Sequence, residues 1–194
     1  MHRYFIIYKP YGMLSQFKKD GKWRLLGELF DFPEDVYPVG RLDVDSEGLL
    51  ILTNDKSLND RLLNPKFEHK RTYWVQVDDD VKEDALNKLE SGLIISIEGK
   101  PHHCRNAIAK KIERPEMIGP RNPPVRYRKY IPTSWLSITL TEGKNRQVRR
   151  MTAAVGHPTI RLIRYSIEGL ELPEYKPEGV WEWSKEKLFE KLFK

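Results

Sequence analysis

Residues 40–55 place several charged side chains directly before a short apolar run at 49–52, which turn-forming residues bound on both sides. Such a run is typical of a strand that is covered on both faces. Asp43 lies in a Gly-Arg-Leu-Asp turn ahead of this run. A carboxylate held beside a rigid strand is suited to chemistry on a bound substrate. Asp43 is therefore a candidate catalytic residue, and the alternative is an ordinary turn or capping aspartate.

The composition of the chain indicates a globular protein with a basic surface. Its 194 residues, 39% of them hydrophobic, suffice for a buried core in one domain or two small lobes. The formal net charge is +6 and the pI is about 9.3, and basic residues concentrate at 121–128 and 144–150. This pattern favours a phosphate-rich partner, because basic side chains that bind phosphates release counterions. A solvated basic surface that serves solubility is the alternative.

Cysteine content and hydropathy bear on the compartment and on metal binding. Cys104 is the single cysteine, so an internal disulfide is excluded and a reducing compartment is favoured. The N-terminal apolar run is too short for a signal peptide, and no segment is long enough to span a membrane. We therefore expect a cytoplasmic protein. His102, His103 and Cys104 are adjacent, but no second ligand pair stands at a suitable spacing, so we predict no metal site.

Short strand patterns alternate with a few helical patterns, which predicts an α+β or mixed α/β class. We predict strands at 3–8, 49–52, 71–77, 93–97, 106–112, 134–141, 159–165 and 180–183. We predict helices at 25–30, 56–63, 80–89, 145–156 and 185–193. Asp79 or Asp80 is expected to cap the third of these helices, and Ser184 the last.

Residues 114–132 interrupt this alternation with five prolines. The prolines exclude a helix or a central strand, because each removes a backbone donor. Arg121, Arg126 and Arg128 stand among them. The segment is either an inert insertion or a stiff arm that lies along nucleic acid, and the arginines favour the arm.

Four motifs follow one another along the chain: Tyr8-Lys9-Pro10-Tyr11-Gly12, residues 40–55, Arg71-Thr72-Tyr73-Trp74-Val75, and residues 142–151. The last reads Glu-Gly-Lys-Asn-Arg-Gln-Val-Arg-Arg-Met. In this order they resemble the motifs of RNA pseudouridine synthases of the ribosomal small-subunit type. The resemblance covers nearly the whole chain, and segments 120–124 and 131–136 resemble a branch that acts on large-subunit ribosomal RNA.

The resemblance implies a bent, mixed and largely antiparallel sheet in two subdomains with a central cleft. It implies that residues 1–194 form one catalytic domain. Many members carry an S4-type RNA-binding domain before the Lys-Pro turn, but here that turn begins at Lys9, so we expect no S4 domain. The catalytic domain is then expected to bind RNA with its own surface, including Lys18, Lys19 and Lys22.

The resemblance also implies roles for individual residues. Asp43 would attack or stabilise the sugar carbon, Arg149 would be the positive partner of this buried carboxylate, and Tyr73 would stack on the extruded uracil. Without the family, Tyr73 is a sheet-core tyrosine and Arg149 a phosphate contact or a solvated charge. Leu162 would line the pocket. RNA contacts are expected from eight basic residues: Lys9, Arg41, Arg121, Arg126, Arg128, Lys144, Arg146 and Arg150.

We therefore expect an isomerase that converts uridine to pseudouridine in ribosomal RNA, with the large-subunit RNA as the favoured substrate. Transfer RNA is a lesser alternative substrate. The reaction involves neither a redox change nor phosphoryl transfer, so we expect no cofactor and no metal. The competing hypothesis is a catalytically idle RNA-binding or ribosome-assembly factor on the same scaffold. No pattern in the sequence suggests coiled-coil pairing, and we expect a monomer.

Overall fold

The protein is built from short strands and short helices. The computed structural model describes residues 1–125 and 131–194. The strands in these ranges are β1 (Tyr4–Lys9), β2 (Tyr37–Pro38), β3 (Glu47–Thr53), β4 (Arg71–Asp78), β5 (Ile94–Ile97), β6 (Lys100–His103), β7 (Ile108–Ile112), β8 (Thr133–Leu140), β9 (Thr159–Ile167), β10 (Leu170–Glu171) and β11 (Val180–Trp183). The α-helices are α1 (Lys56–Leu63), α2 (Glu83–Glu90), α3 (Gln147–Ala154) and α4 (Lys185–Phe193). Single turns of 3-10 helix occupy Leu26–Glu28 and Pro65–Phe67.

One large mixed sheet joins two groups of strands. Its order is β11-β1-β3-β9-β4-β8-β7, with β2 beside β3 and β10 beside β9, while β5 and β6 form a separate hairpin. Every neighbouring pair is antiparallel except β3 and β9, which pair in parallel at only two register positions. We call β11, β1, β3 and β2 the first half, and β9, β4, β8, β7 and β10 the second half. The predicted α+β class and largely antiparallel mixed sheet are confirmed.

Apolar side chains cover both faces of β3, as its continuous apolar run predicts. Every residue of β3 is buried. Leu49 and Ile51 belong to a cluster with α1 and α4, whereas Leu50 and Leu52 belong to another cluster with the segment 13–36. A third cluster packs α2 and α3 against β4 and β8. The turn that carries Asp43 is therefore followed at once by a rigid, fully enclosed strand.

Side chains cap two of the helices, and the cap by Ser184 confirms the prediction. The Asp55 carboxylate accepts hydrogen bonds from two backbone amides at the start of α1. The Ser184 hydroxyl accepts from the amide of Lys187 at the start of α4. The satisfied amides fix the first turn of each helix.

The prediction that Asp79 or Asp80 caps α2 is wrong. The helix starts later than expected, after Lys82, and no side chain accepts a hydrogen bond from its first amides. Asp79 adopts a positive φ of 71°. Asp80 forms ion pairs with Lys82 and Lys111. Asp80 therefore pairs with lysines instead of capping α2.

Three short strands were missed by the sequence patterns. β6 consists of Lys100, Pro101, His102 and His103, a polar stretch without apolar alternation that pairs only with β5. β2 and β10 have two residues each and exist because β3 and β9 lie beside them. Residues 113–125 contain neither helix nor strand, as their prolines predict. None of the helices in the described ranges has the length and apolar character that crossing a membrane requires.

Candidate active site

An open cleft of about 800 Å³ lies where the two halves of the sheet meet. Its lining comes from the turn at 40–46 before β3, from β4 and β9, and from residues 140–148 at the start of α3. The volume is within the range that small-molecule sites occupy. Segments far apart in sequence thus contribute to one site.

Asp43 begins a tight turn that the segment 12–15 holds in place. Its carbonyl accepts a hydrogen bond of 3.0 Å from the amide three residues later, and the amide of Gly12 donates to the carbonyl of Val44 at 2.8 Å. The Ser15 hydroxyl donates to the carbonyl of Leu42 at 2.8 Å and accepts from its amide at 3.0 Å. The Lys-Pro motif near the N-terminus therefore supports the turn that presents the Asp43 carboxylate.

Arg146 binds two carboxylates of this turn. Its Nη1 lies 3.3 Å from Oδ2 of Asp43, and its guanidinium donates to both oxygens of Asp45 at 3.0 and 2.8 Å. Arg146 has a φ of 51°, which is uncommon for arginine and frequent at functional sites. The side chain of Asp43 remains 39% exposed. The prediction that the Asp43 carboxylate is buried is therefore wrong, whereas its catalytic role stays a prediction.

Arg149 pairs with Asp45, and the predicted direct pair with Asp43 does not form. Its Nη2 donates to the backbone carbonyl of Asp45 at 2.7 Å and lies 3.4 Å from the Asp45 carboxylate. The side chain is only 14% exposed. Burial lowers the pKa of Arg149, while the charges of Asp45 and Asp43 oppose this effect. Arg149 thus supplies positive charge near Asp43 without touching it.

Tyr73 and Leu162 line the same cleft as Asp43. Tyr73 lies on β4 and is half-buried, whereas Leu162 on the neighbouring strand β9 is buried. An aromatic ring and an aliphatic side chain suit a planar base, which gains contact area on both. The cleft therefore combines a carboxylate with surfaces that can hold a nucleobase.

A buried cation lies beside Tyr73 in this cleft. Arg164 stands opposite Tyr73 in the β4–β9 register and is 5% exposed. Its Nε donates to the carbonyl of Leu49 at 2.8 Å, but its Nη2 has no hydrogen-bond partner among the described residues. Burial lowers the pKa of Arg164, and Tyr73 partly offsets this effect. Because a buried charge without a counterion is costly, its presence favours an electrostatic role in the site.

The prediction that Lys9 binds RNA is wrong. Lys9 is fully buried, and its Nζ donates to the carbonyls of Pro10 at 2.9 Å and Met13 at 2.7 Å. Burial lowers the pKa of Lys9 to about 7, although nearby carboxylates oppose the shift. Lys9 instead closes the turn from which Gly12 reaches residues 40–46.

The other predicted RNA contacts fall into three groups. Arg41 and Lys144 are exposed and line the cleft, and Arg41 also donates to the side chain of Gln16 at 2.9 Å. Their contact with RNA stays a prediction. Arg126 and Arg128 lie outside the described residues.

Arg121 and Arg150 donate hydrogen bonds to backbone carbonyls of other residues in the chain. The guanidinium of Arg121 lies 4.0 Å from the centre of the Tyr11 ring, and its Nε donates to the carbonyl of Pro123 at 2.8 Å. Arg150 donates to the carbonyl of Ser96 at 2.6 Å and thereby ties α3 to β5. These contacts favour a structural role for both arginines, and contact with RNA stays untested.

His102, Cys104 and Glu142 converge beside the start of α3, with their potential ligand atoms within 4.8 Å of one another. One oxygen of Glu142 accepts from Gln147 at 2.6 Å and from the amide of Arg105 at 2.9 Å. The other lies 3.1 Å from Nε2 of His102. Burial raises the pKa of the Cys104 thiol. Hydrogen bonds within the chain therefore account for this cluster, which fixes the loop before α3.

Two candidate functional residues, Asp45 and Arg164, were not predicted from the sequence. Asp45 lies two residues after Asp43 in one turn, a spacing at which two carboxylates can share an arginine, as they do here. Arg164 follows Leu162 by two residues on one strand. Side chains at that spacing face the same side, so strand alternation alone could have placed Arg164 in the cleft.

Comparisons with known proteins agree with this geometry. Residues 3–154 match the sequence model of a family described as RNA pseudouridylate synthase. A Vibrio parahaemolyticus protein named ribosomal large subunit pseudouridine synthase E is 48% identical over 176 residues, which cover 91% of this chain and 71% of that protein. A protein of the same name from Xanthomonas campestris is 46% identical, with 91% and 92% of the two chains covered. A Bacillus subtilis protein named ribosomal large subunit pseudouridine synthase B is 35% identical, with 87% and 63% covered.

Solved structures give the same result for the fold. A structure described as a pseudouridylate synthase superposes with a TM-score of 0.79 at 26% identity, covering 99% of this chain and 74% of its own. An RNA-bound H/ACA ribonucleoprotein shares the fold at 13% identity, with a TM-score of 0.56 over 87% of this chain and 48% of its own.

Proposed function

The chain belongs to the RNA pseudouridylate synthase family, and on this premise we propose that it isomerises uridine in large-subunit ribosomal RNA with Asp43 as the catalytic residue. The observation that carries the assignment is the shared cleft, which brings Asp43 together with Tyr73 and Leu162 from the other half of the sheet. The names of relatives at 46–48% identity support ribosomal RNA of the large subunit as the substrate.

The reaction requires the protein mainly to position the nucleotide and to place charged groups beside it. The bond between C1′ of the ribose and N1 of uracil breaks, the base turns in place, and C1′ joins C5 of the same base. A proton leaves C5 and another is taken up at N1, so atoms and electrons balance. Attack on the sugar, elimination from it and stabilisation of a cationic sugar all require one carboxylate near the ribose. We assign this carboxylate to Asp43.

Tyr73 and the arginines support that carboxylate in different ways. We propose that the Tyr73 ring stacks on the extruded uracil against Leu162, which offsets part of the cost of unstacking the base, about a few kcal/mol. Arg149 supplies positive charge from behind the turn. Arg41 and Lys144, at the cleft, contact the RNA backbone next to the flipped nucleotide.

We further propose that residues 1–194 act as one catalytic unit, as a monomer, in the cytoplasm. Support for the location comes from the bacterial relatives, whose names place their substrate in the ribosome. Size-exclusion chromatography with light scattering tests the monomer, and a mass twice that of the 22.9 kDa chain would refute it.

Release of tritium from RNA labelled at C5 of uracil tests the catalytic assignment. The wild-type protein should release tritium from large-subunit ribosomal RNA. Asp43→Asn should lower the rate by roughly three orders of magnitude or more, with RNA affinity close to wild type, because the amide keeps the shape of the side chain. Asp84→Asn removes a charge on the exposed face of α2 and should leave both quantities unchanged.

The outcomes separate the enzyme from a binding factor. A wild-type protein that binds ribosomal RNA but releases no tritium would establish the idle RNA-binding scaffold instead. Mapping pseudouridines in ribosomal and transfer RNA from cells that lack the protein then identifies the substrate. Loss of a site in transfer RNA alone would contradict the ribosomal assignment.

A further inference from the structure

Asp45 is the main carboxylate partner of both arginines next to Asp43. Arg146 forms two hydrogen bonds with Asp45, at 3.0 and 2.8 Å, but reaches Asp43 with a single atom at 3.3 Å. Arg149 donates to the backbone of Asp45 at 2.7 Å and approaches its carboxylate to 3.4 Å. Asp45 thus binds both arginines, whereas Asp43 contacts only Arg146 of the two.

The charged groups around Asp45 also favour its pairing with the two arginines. Burial alone would raise the pKa of the Asp45 carboxyl, but the hydrogen bond from Arg146 and the charge of Arg149 outweigh it, and the pKa is lowered. Asp45 therefore stays ionised and holds both arginines. Asp43, with its side chain 39% exposed and one long contact, keeps an oxygen open toward the cleft.

We propose that Asp45 is a positioning residue that draws Arg146 away from the Asp43 carboxylate, holds Arg149 in place and so leaves Asp43 free to reach the ribose. This inference rests on the proposed function. The physical basis is competition, because a guanidinium beside two carboxylates distributes its donors according to geometry and charge. When RNA binds, Arg146 can turn toward a phosphate while Asp45 keeps Arg149 in place.

Removing the charge of Asp45 should slow the reaction without weakening RNA binding. Asp45→Asn leaves Asp43 as the one carboxylate within reach of the two arginines in the described structure, so Arg146 should close onto Asp43 and block it. The turn also loses one negative charge, which favours the approach of RNA phosphates. The variant should bind RNA at least as tightly as the wild type and react more slowly. A residue with a purely structural role would lose binding and activity together.

Single-turnover tritium release with saturating ribosomal RNA measures the chemical step, and a separate binding assay measures affinity. Asp45→Asn should slow the chemical step by about ten- to a hundredfold, the size expected for side chains coupled in one network. Adding Arg146→Gln should restore at least part of this rate, because it removes the arginine that blocks Asp43. Asp84→Asn is the matched control for the loss of one carboxylate charge.

Each outcome bears on the proposal. Slower chemistry with undiminished RNA affinity and a faster double variant supports it. An unchanged rate in Asp45→Asn, weaker RNA binding in that variant, or a double variant no faster than Asp45→Asn would overturn it. If wild-type protein released no tritium, the proposed function would fail, and the binding assay would still test whether Asp45→Asn preserves RNA affinity.

Discussion

Lys9 makes the stability of the folded chain depend on pH. Its ammonium group is fully buried and is held by two backbone carbonyls rather than by an ion pair in the described structure. Its pKa is lowered to about 7, chiefly by burial, whereas an unfolded lysine titrates near pH 10.4. Below pH 7 both states carry the proton. Between the two pKa values the unfolded state binds more protons, so the free energy of unfolding rises with pH in that window.

Lys9→Met should abolish most of this rise. In the wild type the Lys9 contribution has a slope of up to about 1.4 kcal/mol per pH unit between pH 7 and 10. Urea unfolding at pH 7, 8 and 9 gives the free energy of unfolding for wild type and variant. The free energy of unfolding of the wild type minus that of the variant should increase steadily from pH 7 to pH 9.

The control for this experiment is Lys88→Met, which removes a lysine from the exposed face of α2. Its curve should run parallel to that of the wild type. The raised pKa of Cys104 has the opposite effect on the pH dependence. Because the thiol is harder to ionise in the folded state, the free energy of unfolding falls at high pH. All three proteins contain Cys104, so its contribution cancels. Parallel curves for Lys9→Met and wild type would show that Lys9 is not titrating in this range.

At the level of elements, the contact between β3 and β9 decides how the two halves of the sheet meet. These strands share two register positions, Glu47 with Ile163 and Gly48 with Arg164. Beside them Arg161 binds both oxygens of Glu47 at 2.8 and 2.9 Å in a buried ion pair. Asp43 precedes β3, and the proposed base-stacking surface on β4 and β9 lies on the other side of this contact. The junction therefore sets the distance between the carboxylate and that surface.

Gly48→Ala should weaken this junction. A Cβ at this position would lie 2.7 Å from the backbone nitrogen of Arg164 and closer still to its carbonyl oxygen, and the φ of 108° is strained for any residue with a side chain. We expect a loss of about 2–4 kcal/mol in the free energy of unfolding. Urea denaturation measures this loss, and single-turnover tritium release should slow as the two halves separate.

Gly27→Ala is the matched control. A Cβ there would have a Phe17 ring carbon as its nearest neighbour, at an ordinary van der Waals distance of 3.9 Å. Its stability should change by less than about 1 kcal/mol. Equal stability losses in the two alanine variants would refute the special role of the close β3–β9 approach.

Local sequence patterns predicted the strands and helices with strong periodicity. They missed the short strands that form only by pairing with a neighbouring strand. The apolar run at 49–52, the helical pattern at 56–63 and the cap Ser184 depend on neighbours in sequence, so β3, α1 and α4 were predictable. The polar strand β6 depends on its partner β5, which local composition does not reveal. The site shows the same limit, because the preference of Arg149 for Asp45 over Asp43 is decided by tertiary geometry.

Across the whole molecule, basic side chains extend from the cleft onto a neighbouring loop. Residues 17–23, here called the basic finger, contain Lys18, Lys19, Lys22 and the exposed Trp23. Backbone hydrogen bonds close its base, from Leu14 to Arg24 at 2.9 Å and from Leu26 to Gln16 at 3.1 Å. Gln16 also accepts from Arg41 in the cleft lining. The finger is thus anchored next to the cleft.

Replacing Lys18, Lys19 and Lys22 by glutamine should weaken RNA binding and flatten its dependence on salt. The slope of log affinity against log salt falls by about 0.7–0.9 for each phosphate that the protein no longer neutralises. A reduction of roughly two is expected if most of the three lysines bind phosphate. The rate at saturating RNA should stay close to wild type, because the finger does not line the cleft. Binding titrations at several salt concentrations measure the effect.

A charge-matched variant separates local contact from the general basic field. Lys185, Lys187 and Lys191 are exposed on α4, which packs on the face of β1 and β3 opposite the segment 13–36 that contains the finger. Their replacement by glutamine changes the net charge by the same amount, and Lys187 contacts a tryptophan as Lys22 does. If overall charge governs binding, the two triple variants should lose affinity equally. A larger loss and a flatter salt dependence in the finger variant alone would place the RNA along the finger and the cleft, whereas equal effects would refute the finger as a docking surface.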